Sequence, residues 1–371
     1  MKRLVLIGAG HAHALVLKAF AKTSLKDVEV VLVSPDELAP YSGMIPGWLA
    51  GSYRWDECCI DFAHLCRRAG VQLFLDSVMS LDPLHSELML TSGKSISYDW
   101  LSLNIGSTLP PPPGDGVFVL PMRPLSALNA RWETLLAHCC GLAPGVDFRL
   151  VTVGGGAAGV ETVLAAQQRL PRLVPEVNFS FSLATQGEEI LPGMAKGAAC
   201  LLRSRLERQG IEVITHFCAD HVSPNGIVGT DRRILSADAV LWATGAQAHS
   251  WPRASGLMTD ESGFVVIDPM LRSLSHPNIF ATGDCAGWKP SLPKAGVYAV
   301  RMGPVLAHNL IALVQGLPLQ PYVPQRRALA LIGSGEGSAV AAWGPFSCSG
   351  SWVWRWKQLL DRRFVARCNA A

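Results

Sequence analysis

The fold is decided by the stretch Leu150-Val151-Thr152-Val153-Gly154-Gly155-Gly156-Ala157-Ala158-Gly159. Its first four residues predict a buried strand, and its glycines fit the pattern G-x-G-x-x-G. Apolar residues follow at helical spacing, namely Val160, Val163, Leu164 and Leu170. A glycine turn between a strand and a helix lets the backbone approach a pyrophosphate, which the helix N-terminus attracts. The stretch therefore predicts a dinucleotide-binding unit, with Phe179–Ala184 as its next strand.

A second unit of this kind opens the chain. Lys2–Ile7 predicts a strand, residues 8–10 a phosphate-binding turn, and Val28–Ser34 a second strand after a helix. The unit departs from the usual pattern, because His13 takes the third glycine position and Ser34 the place of the ribose-binding acid. Ser34 can still hydrogen-bond a ribose hydroxyl as a neutral partner. Two such units in one chain predict two dinucleotides, one tightly held and one exchanging.

The composition of the 371 residues excludes several classes of protein. Charged residues make up 16% and hydrophobic residues 49%, which excludes intrinsic disorder. A net charge of +3 argues against a nucleic-acid binder. No uninterrupted apolar run reaches the length of a membrane span, and the start of the chain does not resemble a signal peptide. Ten cysteines without a C-x-x-C motif predict reduced thiols in a cytoplasmic protein.

Two further strands end in small residues. Asp238–Trp242 runs into Ala243-Thr244-Gly245, and Asn278–Ala281 runs into Thr282-Gly283-Asp284. Small residues at the carboxyl ends of parallel strands leave room for a ligand in the crevice there. Asp284 can accept hydrogen bonds from a ribose or ribityl chain, or it can serve as a helix N-cap. The predicted fold class is therefore α/β, with two Rossmann-like dinucleotide-binding domains.

The complete set of motifs resembles the flavin-dependent pyridine nucleotide–disulfide oxidoreductase superfamily. The resemblance rests on Gly8 and Gly10, Tyr98-Asp99 with Gly106-Ser107, Gly154, Gly156 and Gly159 followed by Glu161, Ala243-Thr244-Gly245, and Gly283-Asp284. A more specific resemblance is to the flavoprotein module fused to selenide, water dikinase. It is carried by residues 8–13, 40–47, 104–107, 274–277 and 293–297. Type II NADH:quinone reductases are similar at a greater distance.

The resemblance implies three-layer ββα domains and two cofactors, FAD and NADH or NADPH. The FAD-binding domain comprises residues 1–145 and 256–320, and the NAD(P)H-binding domain comprises residues 146–255. Residues 321–371 form a small C-terminal hairpin and helix. The implied FAD-binding residues are Gly8, Gly10, His11, His13, Ser34, Pro40, Tyr41, Ser42, Gly43, Met44, Val78, Gly106, Ser107, Gly283, Asp284, Ala295 and Gly296. The implied nicotinamide-nucleotide residues are Gly154, Gly156, Gly159, Thr185, Gly187, Ala243, Thr244 and Gly245.

Glu161 and Lys294 are the candidate catalytic residues. Glu161 resembles the family acid between nicotinamide and flavin, although an acid in a first helical turn is also favoured by the helix dipole. Lys294 would stabilise the reduced, anionic flavin, or it is a solvated surface lysine. No metal site is expected, because His11 and His13 are two residues apart and cannot share one helix face.

Departures from the family leave the electron acceptor open. The segment Tyr41–Pro46 has no redox-active cysteine pair, which argues against disulfide reduction. The segment Val297–Gly303 lacks the glutamines of quinone reductases, which weakens the assignment of a quinone. Acids at Glu188 and Glu189 favour NADH over NADPH, because they repel a 2′-phosphate. We therefore expect an FAD-dependent NAD(P)H oxidoreductase with a small-molecule acceptor, either a quinone or a selenium or sulfur species.

The C-terminal segment predicts a hairpin followed by an aromatic helix. The hairpin strands are Arg326–Ile332 and Ala339–Trp343, and the helix covers Trp352–Phe364. The apolar face of this helix is predicted to comprise Val353, Trp356, Leu360 and Phe364. Such a helix suits a peripheral position on the inner face of a membrane, a homodimer contact, or a lid over the FAD domain. The alternative function is a flavin-binding redox sensor or assembly protein that docks through this helix.

Overall fold

A computed structural model describes residues 1–23 and 25–370 of the chain. Four short 3-10 turns lie between its helices and strands, at Ser42–Met44, Asp56–Cys58, Leu125–Ala127 and Gly283–Cys285. In chain order, the first part comprises β1 (Lys2–Ile7), α1 (His11–Phe20), β2 (Val28–Ser34), β3 (Leu38–Pro40), α2 (Ile45–Leu49), β4 (Cys59–Asp61), α3 (Phe62–Ala69), β5 (Gln72–Leu75), β6 (Val78–Asp82), β7 (Glu87–Leu90), β8 (Ser95–Ser97) and β9 (Trp100–Leu103).

The middle part of the chain follows without interruption. It comprises β10 (Phe118–Pro121), α4 (Leu128–Cys140), β11 (Asp147–Val153), α5 (Ala157–Leu173), β12 (Asn178–Ala184), α6 (Lys196–Arg208), β13 (Glu212–Ile214), β14 (Ala219–Ser223), β15 (Gly226–Gly229), β16 (Ile234–Leu235) and β17 (Ala239–Trp242). The last part comprises α7 (Trp251–Ala254), β18 (Val265–Val266), β19 (Ile279–Ala281), β20 (Ala286–Gly287), α8 (Gly296–Gln315), β21 (Leu329–Gly333), β22 (Ala339–Trp343), β23 (Phe346–Gly350) and α9 (Ser351–Asn369).

Two parallel five-stranded sheets organise these elements. The first has the order β19-β9-β1-β2-β5, and the second has the order β10-β17-β11-β12-β13. An antiparallel three-stranded sheet accompanies each of them, β6-β7-β8 in the first body and β14-β15-β16 in the second. The strands of a parallel sheet are buried on both faces, and four residues of β1 are buried accordingly. The predicted α/β fold with two dinucleotide-binding units is confirmed.

The first body is discontinuous in sequence. Its edge strand β19 and its long helix α8 come from residues that follow the second body. The α8 helix packs on α1, where Gly303 allows a close approach, since a Cβ there would lie 2.7 Å from the Leu15 side chain. This arrangement agrees with a first domain in two pieces. The exact domain boundaries stay a prediction, and β10 pairs with β17 although it precedes residue 146.

The α8 helix also corrects one expectation about membrane spans. It is long and apolar enough to cross a bilayer by length and composition alone, with a mean hydropathy of 1.4 in its best window. The sequence analysis found no such segment, because Arg301, His308 and Asn309 interrupt the apolar run. In the structure the helix packs against the first sheet body, and Asn309 is fully buried and hydrogen-bonded to Gln320 and Met270.

The C-terminal region forms a three-stranded antiparallel sheet and one helix. The predicted hairpin corresponds to β21 and β22, and β23 adds a third strand that the sequence analysis did not predict. The predicted inner face of α9 is wrong. The buried residues are Val353, Lys357, Asp361, Val365 and Cys368, whereas Trp356 and Leu360 are exposed and Phe364 is partly buried. A lysine and an aspartate can face inward because they neutralise each other, with Nζ and Oδ2 3.0 Å apart.

Candidate functional site

The first glycine turn is shaped by a close approach to the end of β9. Gly8 has a φ of +92°, and a Cβ at this position would lie 2.6 Å from the carbonyl oxygen of Asn104. A Cβ at Gly10 would clash with the side chain of the same asparagine. Only glycine fits at both positions, because an L side chain is strained at the φ of Gly8 and neither position has room for one. The turn lies at the carboxyl end of the sheet, where ligands of such folds bind.

Asn104 is a site residue that the sequence analysis did not single out. Its Oδ1 accepts hydrogen bonds from the backbone N–H groups of Ala12 (3.0 Å) and His13 (3.3 Å). Its Nδ2 donates to the carbonyl oxygen of Thr282 at 2.9 Å. One amide therefore joins the first turn of α1 to both crevice-forming strand ends. Among residues 1–23 and 25–370 the N–H of His11 meets no acceptor, so it is available to a phosphate.

His13 lies behind the turn that replaces the usual three-glycine motif. Its ring is fully buried, with Nδ1 donating to the carbonyl oxygen of Gly8 (2.7 Å) and Nε2 accepting from the hydroxyl of Ser102 (2.9 Å). Burial lowers the pKa of His13 to about 4, although the bond to Gly8 opposes the shift. The neutral ring supports the turn from behind, and its contact with a cofactor stays a prediction.

His11 connects the glycine turn to the segment that was predicted to border the flavin. The His11 ring lies 5.1 Å from the ring of Tyr41, and its Nε2 accepts a long hydrogen bond of 3.4 Å from the N–H of Ser42. Burial lowers the pKa of His11 to about 4, against the opposing field of Asp284. Phe364 of α9 closes the group, with its ring centroid 4.7 Å from that of Tyr41.

The two segments predicted to flank the isoalloxazine come together in the structure. A Cβ at Gly296 would lie 2.8 Å from Oγ of Ser42, so Tyr41–Met44 and Lys294–Gly296 are neighbours. Pro40 ends β3, Met44 is buried, and Ala295 precedes the first turn of α8. Lys294 is directed inward: its Nζ donates to the carbonyl oxygen of Ala286 (2.6 Å) and lies 3.7 Å from the centre of the Phe264 ring. Burial lowers its pKa.

A charged cluster surrounds Asp284. Arg123 places Nη1 2.7 Å from Oδ2 of Asp284, and the hydroxyl of Ser107 donates to the same oxygen at 3.3 Å. Arg123 follows β10 of the second sheet, and nothing in the sequence pattern marked it as a site residue. The N-cap role considered for Asp284 is not observed, since it lies inside a 3-10 turn that begins after Thr282. Gly106, beside this cluster, has a φ of +68°.

The residues predicted at the adenosine end of FAD lie on the same sheet edge. Ser34 ends β2, is buried, and donates from Oγ to the carbonyl oxygen of Asp36 at 2.9 Å. Val78 begins β6 and is partly buried. Gly283 has a φ of +72°, and a Cβ there would lie 2.8 Å from Nδ2 of Asn104. Their contacts with adenosine stay predictions.

The second glycine turn is built by the same physical means. Gly154 has a φ of +127°, and a Cβ there would clash with the carbonyl oxygen of Ala243. A Cβ at Gly159 would clash with the carbonyl of Gly154, which brings α5 close to its strand. Gly156 differs, because a Cβ there would meet no atom of residues 1–23 and 25–370 within 4 Å. That open space lies at the N-terminus of α5, as the binding of a pyrophosphate requires.

Other predicted nucleotide contacts surround the same crevice. Thr185 and Ala243 follow β12 and β17 directly and are buried, and Gly187 lies in the turn after β12. Thr244 is partly exposed, Gly245 is exposed, and a Cβ at Gly245 would also point into open space within the described chain. The structure therefore gathers these residues at one edge of the second sheet, and their nucleotide contacts stay predictions.

Glu161 is directed toward the C-terminal region. Its Oε1 accepts a hydrogen bond of 2.6 Å from the N–H of Gly333. Burial raises the pKa of Glu161 to about 7, although the charge of Lys357 opposes the shift. Lys357 in turn donates to the carbonyl oxygen of Gly43 at 2.6 Å. Lys357 and Asp361 thus join the flavin-flanking segment to Glu161, and the sequence analysis missed both.

The residues present fit the two dinucleotides. Each parallel sheet ends in a glycine turn followed by a helix N-terminus, and each crevice has glycine positions without neighbouring atoms of the described chain, such as Gly106 and Gly156. The first crevice also contains the carboxylate of Asp284, which can accept bonds from sugar hydroxyls. No group of three or more potential metal ligands is found in residues 1–23 and 25–370.

Comparisons with known proteins point in the same direction. The family model described as pyridine nucleotide-disulphide oxidoreductase matches residues 2–309. The alternative NAD(P)H-ubiquinone oxidoreductase C1 of Arabidopsis thaliana is 27% identical over 86% of this chain and 69% of its own length. The NADH dehydrogenase-like protein YutJ of Bacillus subtilis is 23% identical, with 90% of each chain covered.

Two solved structures share the fold. The sulfide:quinone oxidoreductase of Aquifex aeolicus matches with a TM-score of 0.80 and 16% identity over 100% of this chain and 92% of that one. The NDH2 of Plasmodium falciparum, solved with NADH, matches with a TM-score of 0.77 and 14% identity over 98% of each chain. At such identities the likeness concerns the fold, which is that of proteins with two dinucleotide-binding domains.

Proposed function

Because the chain belongs to the pyridine nucleotide-disulphide oxidoreductase family, we propose that it is an FAD-dependent NADH dehydrogenase that reduces a quinone. Membership makes the chain an oxidoreductase and implies both FAD and NAD(P)H. The observation that carries the proposal is the convergence of the first glycine turn, the segment Tyr41–Met44 and the segment Lys294–Gly296 on one crevice. The named relatives are NADH dehydrogenase-like proteins, so they support this reading over the resemblance to the selenide, water dikinase module.

In this proposal the first body holds FAD. The N–H of His11 and the dipole of α1 receive the pyrophosphate, and Asp284 accepts hydrogen bonds from the sugar-like chain. Arg123 holds the carboxylate of Asp284 in place and adds a positive charge beside the phosphates. Bound FAD would supply the two-electron exchange between nicotinamide and acceptor. Lys294 would place a buried positive charge beside the reduced cofactor.

The second body would bind the nicotinamide nucleotide. Its pyrophosphate fits the open space at Gly156, and the turn after β12 would receive the adenosine ribose. Gln186, Glu188 and Glu189 are exposed in that turn, and no cation lies among residues 186–189. Two carboxylates there repel a 2′-phosphate, which supports NADH as the donor.

Glu161 is the proposed proton donor for the acceptor. With a pKa near 7 it carries its proton in part of the molecules at neutral pH. It lines a small cleft between α2, α5 and the C-terminal sheet, together with Ala50, Gly333 and Trp354. An apolar wall of this kind suits a quinone ring, and the acid would protonate the reduced product.

A disulfide relay is not part of the proposal. The nearest cysteines along the chain from Tyr41–Pro46 are Cys58 and Cys59, and both are buried. Burial raises the pKa of each thiol to about 12, whereas reactive cysteines have lowered pKa values. These thiols are therefore structural in our proposal.

A peripheral position on a membrane is also proposed. Exposed aromatic and aliphatic side chains from the C-terminal sheet and α9 form one group, hereafter the C-terminal apolar patch: Trp343, Phe346, Trp352, Trp356, Leu359 and Leu360. Exposed Arg355 and Arg363 lie on the same helix. An aromatic surface with neighbouring cations suits an interface with anionic lipid, where the quinone pool is found.

The test is anaerobic stopped-flow mixing of the FAD-loaded protein with NADH or NADPH. NADH should bleach the flavin absorbance near 450 nm faster than NADPH does. The reduced protein is then mixed with ubiquinone-1 or with polysulfide. Reoxidation by the quinone supports the proposal, and reoxidation by polysulfide alone replaces quinone with a sulfur acceptor. If neither nicotinamide nucleotide reduces the flavin, the proposed function fails.

A further inference from the structure

A second cleft lies away from both glycine turns, between the two bodies. It has room for about 360 Å³, a volume within the range of small-molecule sites. One wall is the segment that follows α2, and the other is made by α4 and α5. The residues around it include Trp48, Tyr53, Trp55, Trp132, Glu133 and Arg169.

Aromatic side chains form the inner wall of this cleft. The rings of Trp48 and Trp55 meet edge to face with centroids 4.7 Å apart, and Trp48 and Trp132 do so at 6.4 Å. Trp48, Tyr53 and Trp132 are buried, so their orientations are fixed by the protein core. Fixed indole rings of this kind offer flat apolar surfaces to a planar ligand.

Arg169 supplies the charged group of the cleft. It comes from the last third of α5 and packs on Gly51, where a Cβ would clash with the guanidinium. Within residues 1–23 and 25–370, Arg169 has no carboxylate within 4 Å and donates no hydrogen bond. A partly buried guanidinium without a partner is suited to bind a carboxylate with two parallel hydrogen bonds.

The cleft is separate from the site for the nicotinamide nucleotide. Arg169 lies twelve residues beyond Ala157 on α5. At 1.5 Å per residue it is about 18 Å from the glycine turn along the helix axis. The cleft is nevertheless close to the flavin-flanking segment along the chain, because Tyr53 packs against Gly47 of α2.

We propose that this cleft binds a planar aromatic carboxylate. The ring would lie among Trp48, Trp55 and Trp132, and the carboxylate would pair with Arg169. Two exposed carboxylates, Glu57 and Glu133, also line the cleft. Glu57 already accepts a hydrogen bond of 2.8 Å from the N–H of Arg54, whereas Glu133 would repel an anion. The inference does not depend on the proposed dehydrogenase activity.

The experiment is isothermal titration of the FAD-loaded protein with 1-naphthoate. We expect one saturable site per chain, and we expect an excess of NAD⁺ to leave its affinity unchanged. Arg169→Gln should weaken binding about tenfold or more, since a charge-assisted bond is lost. Glu133→Gln should strengthen binding, because it removes the repulsion. The uncharged isostere 1-naphthamide should bind at least tenfold more weakly than 1-naphthoate.

The matched control is Arg172→Gln, which removes the same charge from an exposed position one turn later on α5. It should leave the affinity for 1-naphthoate unchanged. Binding that is equal in the Arg169→Gln and Arg172→Gln proteins overturns the proposal. Loss of binding in the presence of NAD⁺ also overturns it, because the probe would then occupy the nucleotide crevice. Absence of saturable binding to the unmodified protein overturns it as well.

Discussion

Nζ of Lys357 donates a hydrogen bond of 2.6 Å to the carbonyl oxygen of Gly43. The two residues are 314 positions apart, and the bond fastens α9 to the segment that flanks the proposed flavin site. Burial alone would lower the pKa of Lys357, but Glu161 and Asp361 outweigh it, and the net shift is upward. The lysine therefore stays charged inside the protein, where it organises the backbone of Gly43.

Lys357→Met should destabilise the protein markedly. The substitution leaves Asp361 buried without its partner, and breaking such a pair typically costs about 3–5 kcal/mol of unfolding free energy. Urea denaturation followed by circular dichroism measures this change. Arg355→Met is the control, because Arg355 is exposed on the same helix. The double variant Lys357→Met/Asp361→Leu should regain part of the stability; an equal cost for Lys357→Met and Arg355→Met would contradict the buried pairing.

Asp284→Asn should weaken retention of FAD by about tenfold or more. The amide cannot balance the charge of Arg123, which then stands unpaired in the crevice. The ratio of absorbance at 450 nm to that at 280 nm after gel filtration reports the bound flavin. Asp220→Asn, at an exposed position of β14, should retain flavin like the unmodified protein. Equal retention in both variants would remove Asp284 from the proposed FAD site.

His13→Gln should change how stability depends on pH. The pKa of His13 is about 4 in the folded protein and near 6.5 in the unfolded chain, so the unfolded chain binds more protons between these values. Stability is therefore lost as the pH falls from 6.5 toward 4, by about 3 kcal/mol from this ring. Glutamine does not titrate, so the variant should show a smaller loss.

The measurement for His13 is urea denaturation of the FAD-free protein at a series of pH values. His85→Gln serves as the control, because His85 is an exposed histidine whose pKa is raised by Asp82. That control should keep the loss of stability below pH 6.5. An unchanged pH dependence in His13→Gln would show that the ring takes up its proton without unfolding the protein.

Glu161→Gln should slow turnover with ubiquinone-1 by roughly 10²-fold, the smaller end of the range for a general acid. The rate of the unmodified protein should fall as the pH rises through about 7, because the acid loses its proton there. Steady-state rates across pH 5.5–9 test this (roughly 1.5 pH units or more to each side of that pKa). The variant should lack the inflection. Glu176→Gln, just beyond α5, should keep the full rate and the inflection.

Trp356→Ser and Phe346→Ser should each reduce binding to anionic liposomes several-fold, since each removes an apolar side chain from the C-terminal apolar patch. Co-sedimentation with phosphatidylglycerol vesicles measures the bound fraction. Leu84→Ser is the matched control, because Leu84 is 86% exposed but lies in the first body after β6. A bound fraction that depends equally on Leu84 and Trp356 would count against a defined membrane-facing surface.

Local patterns were sufficient to predict both parallel sheets. The glycines at 8, 10, 154 and 159 are required by backbone approaches that no other residue allows, so the pattern reports the geometry directly. The adjacency of the segments around Ser42 and Gly296 also followed, although from resemblance and not from spacing. Strand β23 was missed because Ser347 and Ser349 alternate with few apolar residues in an edge strand.

Partnerships across long sequence distances were beyond such patterns. An apolar periodicity cannot show that Lys357 and Asp361 face inward, because each is tolerated there only through the other and through Gly43. Arg123 and Asn104 were missed for a similar reason, since their partners Asp284 and Thr282 are contributed by a distant part of the chain.

The interrupted first body has a consequence for how the chain matures during synthesis. The second sheet is contiguous from β10 to β17 and can condense once those residues have left the ribosome. The first sheet waits for β19 and for α8, so its earlier strands stay without an edge partner while the intervening segment is translated. Nascent molecules halted before residue 279 should therefore resist proteolysis in their middle and be digested at their beginning.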